Sequence, residues 1–270
     1  MSLMKRVDQA RDAYRKGDLE GSAAAHSAAR IVTSASEEHG GASHAYLGDL
    51  VYGGLDGIVT TFAVVSGVAG AQLGNGVVLI LGLANLLADG FSMAVGAYLS
   101  SKSEQEYYDR EYQREAWEVE HFPDGERAEL ITAYRSKGYD ESDATQLVDI
   151  QTKQPDLWVK TMMVEELGLM KNERNPLYSA LATFAAFQVA GSVPLIVYLA
   201  GLAIPIAGGV SFPVSLILSA LALFGLGAAK VLVTERSFVK SGLEMLIVGG
   251  AAAGVAYAVG VLLKGLGTGG

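Results

Sequence analysis

The chain has 270 residues, of which half are hydrophobic and 18% are charged, and its formal net charge is −9. This acidic balance argues against a nucleic-acid-binding surface, and the absence of cysteine excludes disulfides, thiolate metal sites and a cysteine nucleophile. The negative charge is local, because residues 103–175 hold 18 Asp and Glu against 9 Lys and Arg, whereas the rest of the chain is balanced. We therefore expect an acidic insert within an apolar protein.

The first 45 residues are polar and lack the apolar core of a cleavable signal peptide. An amphipathic stretch over roughly residues 3–15 predicts a short cytosolic helix, and the Ala-, Ser- and Gly-rich segment 21–44 predicts a flexible lead-in. A plain disordered tail fits this composition equally well.

Five apolar runs follow, and each has about the 20 residues that a helix needs to cross the hydrocarbon core. The runs are Leu50–Ala71, Val77–Leu99, Leu177–Ala200, Phe212–Val233 and Leu243–Leu263. Buried helices of a large soluble protein would need a polar shell that this sequence does not provide. The pattern therefore predicts an all-α, polytopic membrane protein with five transmembrane helices and a helical insert between the second and the third.

Charge in the connectors predicts the orientation. The links 72–76 and 201–211 carry no charge, whereas Lys and Arg gather at the opposite ends of the runs. These basic residues include Arg30, Lys102, Arg174, Lys230, Arg236 and Lys240. Because basic residues favour the cytosolic side, we expect a cytosolic amino terminus, a cytosolic insert and an external carboxyl terminus.

Four segments are expected along the chain: the cytosolic lead-in 1–45, transmembrane helices 1 and 2 over 46–102, an acidic metal-binding domain over 103–175, and transmembrane helices 3 to 5 over 176–270. In the third segment, the second helix continues without a breaker through 103–120. Three further helices are predicted, and they are Glu126–Lys137, Ser142–Lys153 and Asp156–Leu167.

Polar side chains and a thioether lie inside the first two runs. An ionised carboxylate such as Asp56 costs about 3 kcal/mol in a membrane, so it is normally functional or paired with a neighbouring helix. Asn85, Asp89 and Met93 are spaced i, i+4, i+8 and share one helical stripe. Together these groups favour a path for a partly dehydrated metal ion, although core packing is the ordinary role of a single methionine.

Gly53 and Gly57 on the first run have the small-xxx-small spacing that lets helix backbones approach closely. The pair fits either a tight bundle or a dimer face. Pro194 is expected to kink the third run.

The insert carries carboxylates and thioethers at helical spacing. They are Glu111, Glu115, Glu118, Glu126, Glu129, Met162, Met163 and Glu166. Carboxylates alone suit hard cations, and added thioether sulfur shifts the preference toward first-row transition metals. A solvated charged face is the alternative, which suffices for Glu104, Glu106 and Glu111 but not for the Met-Met-x-x-Glu group.

One Glu-x-x-His motif, Glu118 to His121, has the spacing of di-iron sites in four-helix bundles. Such sites need two of these motifs, and the remaining histidines, His26, His39 and His44, lie in the lead-in. A ferroxidase is therefore a weaker interpretation than a transporter.

The segments Asp49–Gly57 and Asp89–Glu104, together with Met162-Met163-x-x-Glu166, resemble the vacuolar iron transporter family. The resemblance extends from about residue 45 to the end of the chain and leaves the first 45 residues without a counterpart. It implies five transmembrane helices per subunit, a homodimer in the lipid bilayer, and exchange of ferrous iron for protons. The iron is then a substrate, with no permanently bound cofactor and no enzymatic activity.

The resemblance also implies roles for individual residues. A translocation path between the subunits would be lined by Asp56 and Met93. The ligands of the cytosolic domain would be Glu115, Glu118, Glu126, Glu129, Met162, Met163 and Glu166. Plant members tend to carry an acidic residue where Asn85 stands, so Asp89, one turn along, is a candidate for that charge, and proton coupling can rest on Asp56 or Asp89.

We therefore expect a divalent metal transporter that moves ferrous iron out of the cytosol in exchange for protons. Three alternatives remain: a manganese, cobalt or zinc exporter of the same build, a membrane-tethered ferroxidase, and a metal sensor without transport. The membrane would be the plasma (inner) membrane in a prokaryote and the vacuolar membrane in a eukaryote. The short lead-in, which has no sorting extension, favours the former.

Overall fold

The structure, a computed structural model, describes residues 6–27, 31, 46–206, 209–229 and 237–266. The chain divides into two units at residues 45 and 46. Some of the sequence predictions concern residues outside the described ranges, namely Arg30, His39, His44, Lys230 and Arg236.

The described residues of the first unit include two short helices, α1 (Arg6–Lys16) and α2 (Leu19–Ala25). Asp18 caps α2, because its side chain accepts a 2.9 Å hydrogen bond from the Gly21 amide. The expectation of a flexible lead-in from residue 21 is wrong for residues 21–25, since an N-terminal cap followed by alanines, the best helix formers, is sufficient for a helical turn.

The second unit is built on five helices that are long and apolar enough to cross a membrane, as counted among the described residues. They are α3 (Leu47–Gly70), α4 (Asn75–His121), α8 and α9 (together Pro176–Ala200), α10 (Ser211–Ala229) and α11 (Phe238–Leu263). We call them the first to fifth spans. The described part of the chain contains helices and no strands, which confirms the predicted all-α, five-span fold.

The longest helix is α4, which has 47 residues. At a rise of 1.5 Å per residue it is roughly 70 Å long, more than twice the thickness of the hydrocarbon core. Its apolar half therefore forms the second span, and its acidic half projects beyond the membrane. The helix ends at His121 because the residue before Pro123 is disfavoured in the α conformation.

Pro194 interrupts the third span. A turn of 3₁₀ helix over Val193–Leu195 separates α8 (Pro176–Ser192) from α9 (Ile196–Ala200). The carbonyl of Pro194 accepts a 2.6 Å hydrogen bond from Ser215 Oγ in the fourth span. This hydrogen bond connects the interruption in the third span to the fourth span.

The first span packs backbone to backbone against the third. A Cβ atom placed on Gly53 would lie 2.5 Å from the Thr183 carbonyl oxygen, and one on Gly57 would lie 2.5 Å from that of Phe187. Only glycine permits this approach. The glycine pair therefore holds the bundle of a single protomer together, and the dimer-face interpretation does not apply to it.

Three helices complete the insert: α5 (Pro123–Ser136), α6 (Glu141–Gln151) and α7 (Pro155–Glu165). They pack with the end of α4 around an apolar core of Val119, Leu130, Tyr134, Ala144, Val148, Trp158, Val159 and Met162. Helix α5 starts three residues earlier than expected, because proline at the first helical position has a suitable φ and needs no hydrogen bond. This early start brings Glu126 into the first turn.

Candidate metal site in the insert

Carboxylates from three helices meet on one side of the insert. Their oxygen atoms form two overlapping groups, each within 4.8 Å, and Glu126 belongs to both. One group is Glu115, Glu118 and Glu126, and the other is Glu126, Glu129 and Glu166. We call these five residues the carboxylate cluster. The end of α4, the start of α5 and the residue that follows α7 therefore bring candidate oxygen ligands together.

The cluster runs from the interior of the insert to its surface. Glu115 is 1% exposed and Glu126 is 5% exposed, whereas Glu129 and Glu166 are open to solvent. Neither carboxylate oxygen of Glu115 accepts a hydrogen bond of good geometry, and the same holds for Oε2 of Glu126. Because buried carboxylates need compensation, this arrangement fits the binding of a cation.

Burial and mutual repulsion weaken three acids of the cluster, Glu115, Glu126 and Glu166. Burial, and then repulsion by Glu115 and Glu129, raises the pKa of Glu126 and the pKa of Glu166 to about 7. Burial also raises the pKa of Glu115, although the guanidinium of Arg114 opposes this shift. A dication would reverse both effects, since a nearby opposite charge favours the ionised form.

Arg114 is the cation that contacts this cluster. Its Nη2 atom lies 2.6 Å from Glu115 Oε1, its Nε atom lies 3.0 Å from Glu111 Oε2, and its Nη1 atom bonds Oε2 of Glu118. The sequence analysis gave this arginine no role in the site. Its position one turn from both Glu111 and Glu118 was the available signal.

The two methionines next to the cluster are fully buried. Met162 belongs to the apolar core with Val119 and Leu130, so packing is sufficient to explain it. Met163 is equally buried and begins the Met-x-x-Glu spacing to Glu166. Both methionines therefore stay predicted sulfur ligands, and packing is a second role for Met162.

The Glu-x-x-His motif is not assembled into a metal site in the described part of the chain. The His121 ring stacks on Trp117 with centroids 4.4 Å apart, and its Nδ1 lies 2.8 Å from the Trp117 carbonyl oxygen. Neither of the two carboxylate groups includes a histidine. This geometry does not support a di-iron ferroxidase.

The four residues predicted to line the transport path lie on the first two spans. Asp56 and Asp89 are half-buried and close enough to interact electrostatically. Met93 packs against the apolar core that includes Leu86 and Phe187. The amide nitrogen of Asn85 is buried and has no hydrogen-bond partner. The spans therefore place two carboxylates together and leave one polar nitrogen to be satisfied.

Asp49, at the start of the first span, is a further polar anchor. Its Oδ2 accepts a 2.6 Å hydrogen bond from Ser179 Oγ and lies 3.8 Å from Arg174 Nη1. The end of the insert is also fixed to its beginning, because Gln105 Nε2 donates to the carbonyls of Asn172 and Arg174. These contacts join the insert to the spans.

Five apolar spans combined with a polar insert that concentrates carboxylates define a multi-pass membrane protein with a candidate cation site. The VIT family model matches residues 47–261, and the chain belongs to this family. The match includes the first four spans, the whole insert and all but the last two residues of the fifth span.

Several relatives with assigned names match most of the chain. The vacuolar iron transporter of Toxoplasma gondii is 40% identical over 96% of this chain and 88% of its own length. The vacuolar iron transporter of Plasmodium falciparum is 34% identical over 97% of this chain and 98% of its own length. Vacuolar iron transporter 1 of Arabidopsis thaliana is 31% identical over 80% of this chain and 85% of its own length. The first two alignments reach into the first 45 residues, for which the sequence alone offered no counterpart.

Proposed function

We propose that this protein moves ferrous iron out of the cytosol across a membrane in exchange for protons. The carboxylate cluster of the insert is the observation that carries the proposal. The names of the relatives, which are vacuolar iron transporters, support iron as the cargo. They also support transport over the ferroxidase and sensor alternatives.

The insert is proposed to gather iron before it enters the membrane. Its ligands are the carboxylate cluster with the neighbouring thioethers, that is, Glu115, Glu118, Glu126, Glu129, Met162, Met163 and Glu166. Hard oxygen and soft sulfur together suit a first-row transition metal better than calcium or magnesium. Because Glu115 and Glu126 are buried whereas Glu129 and Glu166 are open, the ion would enter through the exposed pair.

The membrane path is proposed to run along Asp56 and Met93, with Asp89 and Asn85 beside them. A carboxyl group can exchange a proton for a metal ion, because burial favours the protonated form and a bound cation favours the ionised form. A proton from the far side that binds Asp56 or Asp89 would displace the metal outward. This exchange couples the two ion movements without a covalent step.

A homodimer is proposed to enclose this path. Asp56 and Asp89 are only half-buried within the protomer, and a carboxylate facing lipid costs about 3 kcal/mol. A second copy that covers this side would remove the cost. An added side chain at Gly96, on the same side of α4, meets nothing within 4 Å. We therefore expect Gly96→Cys to form an oxidant-induced cross-link between two copies, whereas a purely monomeric product would contradict the dimer.

The proposed orientation places residues 1–45 and 103–175 in the cytosol. Because the chain has no cysteine, single cysteines report orientation without background. A cysteine at the exposed position Glu141 should react with a membrane-impermeant maleimide only in opened cells, and one at Leu202 should react in intact cells. The reverse pattern would overturn the orientation and the direction of transport.

Proteoliposomes that contain a pH-sensitive dye provide the direct test. Ferrous iron added outside should enter, and the internal pH should rise as protons leave. Metal binding without flux would favour a sensor, and oxygen consumption that depends on iron would favour a ferroxidase. Competition by manganese, cobalt and zinc would show which of these ions share the path.

A ligand variant tests the insert separately. Replacing Glu115, Glu118 and Met163 together should weaken metal binding while leaving the five spans folded, because these residues lie outside the membrane bundle. Equal binding by the variant and the wild-type protein would remove the cluster from the proposal.

A further inference from the structure

We propose that Arg114 competes with the metal ion for the carboxylates of the cluster. It is a positioning residue that holds Glu115 and Glu118 and thereby lowers the affinity of the cluster for the metal. The inference rests on the proposed function of that cluster. It assigns to this arginine the role of making bound iron easy to release toward the membrane.

The geometry places the guanidinium on oxygens that a metal ion would need. Arg114 Nη2 is 2.6 Å from Glu115 Oε1, and Nη1 bonds Glu118 Oε2. Glu115 and Glu118 form one carboxylate group with Glu126. A cation that binds this group must therefore displace at least part of the guanidinium or share its carboxylates with it.

Arg114 has one effect in the metal-free protein and another on a bound metal ion. The side chain of Arg114 is 43% exposed, and exposed ion pairs contribute little to folding. Its partner Glu115, in contrast, is 1% exposed and accepts no well-formed hydrogen bond. The arginine is thus the nearby positive charge that compensates a buried acid, and a fixed positive charge beside a bound dication repels it.

An opposite effect also exists, because Arg114 favours the ionised form of Glu115, and ionised carboxylates bind metal better. Carboxyl groups are normally ionised at alkaline pH without a neighbouring cation. The competition is therefore measured at pH 8.0.

The test is titration of the full-length protein in detergent with Mn²⁺ at pH 8.0, repeated with Fe²⁺ under anaerobic conditions. Arg114→Gln should bind on the order of tenfold more tightly, which corresponds to about 1.4 kcal/mol. Arg114→Lys retains the charge and should stay near the wild-type affinity. Arg110→Gln is the matched control, since Arg110 lies one turn away and pairs with Glu111 instead.

Transport kinetics provide a second test, which distinguishes competition for the metal from a purely structural role. In proteoliposomes, Arg114→Gln should lower the apparent KM for the metal and also lower the maximal rate, because release becomes slower. Arg114→Met, which keeps the aliphatic stem, replaces the glutamine variant if the latter aggregates.

Unchanged or weaker binding by Arg114→Gln, with wild-type binding intact, overturns the role of Arg114 and leaves the proposed function standing. Equal tightening by Arg114→Lys overturns competition by charge. Absence of metal binding or flux in the wild-type protein overturns the proposed function itself, and this inference with it.

Discussion

Ser179 Oγ donates a 2.6 Å hydrogen bond to Asp49 Oδ2, and this bond connects the start of the third span to the start of the first. Ser179 is 2% exposed, so water does not readily replace it. Arg174 approaches the same carboxylate oxygen at 3.8 Å. The point at which the chain returns from the insert is thereby fixed to the first span, which carries Asp56 two turns further on.

Removing the hydroxyl should loosen this junction. We expect Ser179→Ala to lower the free energy of unfolding by about 1 to 2 kcal/mol, because a hydrogen bond to a carboxylate is lost in a site from which water is largely excluded. Thermal unfolding in detergent measures the loss. Ser192→Ala is the control, since Ser192 bonds only within its own helix, to the Val189 carbonyl. Equal effects of the two variants would contradict the proposed importance of the junction.

The contact between the first and third spans makes a second prediction. Gly57→Ala should destabilise the bundle by about 1 to 3 kcal/mol, the usual cost of overpacking, because the new Cβ atom would lie 2.5 Å from the Phe187 carbonyl oxygen. Gly225→Ala is the matched control, since a Cβ atom there meets nothing within 4 Å. The amount of folded protein that survives in detergent should fall for Gly57→Ala and not for Gly225→Ala. Fluorescence-detected size-exclusion chromatography measures this amount.

The raised pKa values of the cluster predict how stability depends on pH. Glu126 and Glu166 have a pKa of about 7 in the folded protein, against an ordinary glutamate value of 4.5. Between these two values the folded state binds more protons than the unfolded state, so the free energy of unfolding falls as the pH rises toward 7. In the presence of a chelator, the melting temperature should therefore be higher at pH 5.5 than at pH 8.

The double variant Glu126→Gln/Glu166→Gln should flatten this profile, because its side chains no longer titrate. Added Mn²⁺ should stabilise the wild-type protein most at pH 8, where protons compete least for the carboxylates, and should stabilise the double variant much less. A profile of the double variant that matches that of the wild-type protein would show that other groups control the pH dependence.

Met163 tests whether sulfur contributes to metal selectivity. Met163→Leu preserves volume and should leave the fold intact, but it removes the soft ligand. Affinity for Fe²⁺ and Co²⁺ should fall by at least the roughly tenfold that loss of an outer-shell partner costs, whereas affinity for Mg²⁺ should hardly change. Met170→Leu is the control, because Met170 is 81% exposed. Parallel losses for all three ions would assign Met163 to packing.

The fold could be predicted from the sequence because membrane-length apolar runs are a property of composition. No tertiary contact is needed to recognise them, and the spans therefore lie close to their predicted limits. Two helices begin earlier than the sequence predicts, because of their local chemistry. The cap from Asp18 and the proline at Pro123 each begin a helix where loop or turn residues had been expected.

The grouping of the site residues was harder to predict from the sequence than the fold. Spacing on one helix relates Glu115 to Glu118, but the meeting of Glu126 with both Glu115 and Glu166 depends on how three helices pack around Leu130 and Trp158. The family resemblance supplied this grouping, and spacing alone would not have. The sequence does not single out Arg114, because the burial of its partner Glu115 appears only in three dimensions.

Asp56 offers the most direct test of the membrane path. Its backbone lies within an unbroken helix, and Thr60 Oγ1 donates to its carbonyl oxygen at 2.8 Å, so a change of side chain should leave the first span folded. Asp56→Asn keeps the size of the side chain but removes the negative charge and the titrating proton. Iron uptake into proteoliposomes and the accompanying rise of internal pH should both be abolished. Asp109→Asn, a change at an exposed carboxylate on the same helix as Met93 but in the insert, should transport normally. Full flux by Asp56→Asn would remove this residue from the path, and loss of the pH signal alone would restrict its role to proton coupling.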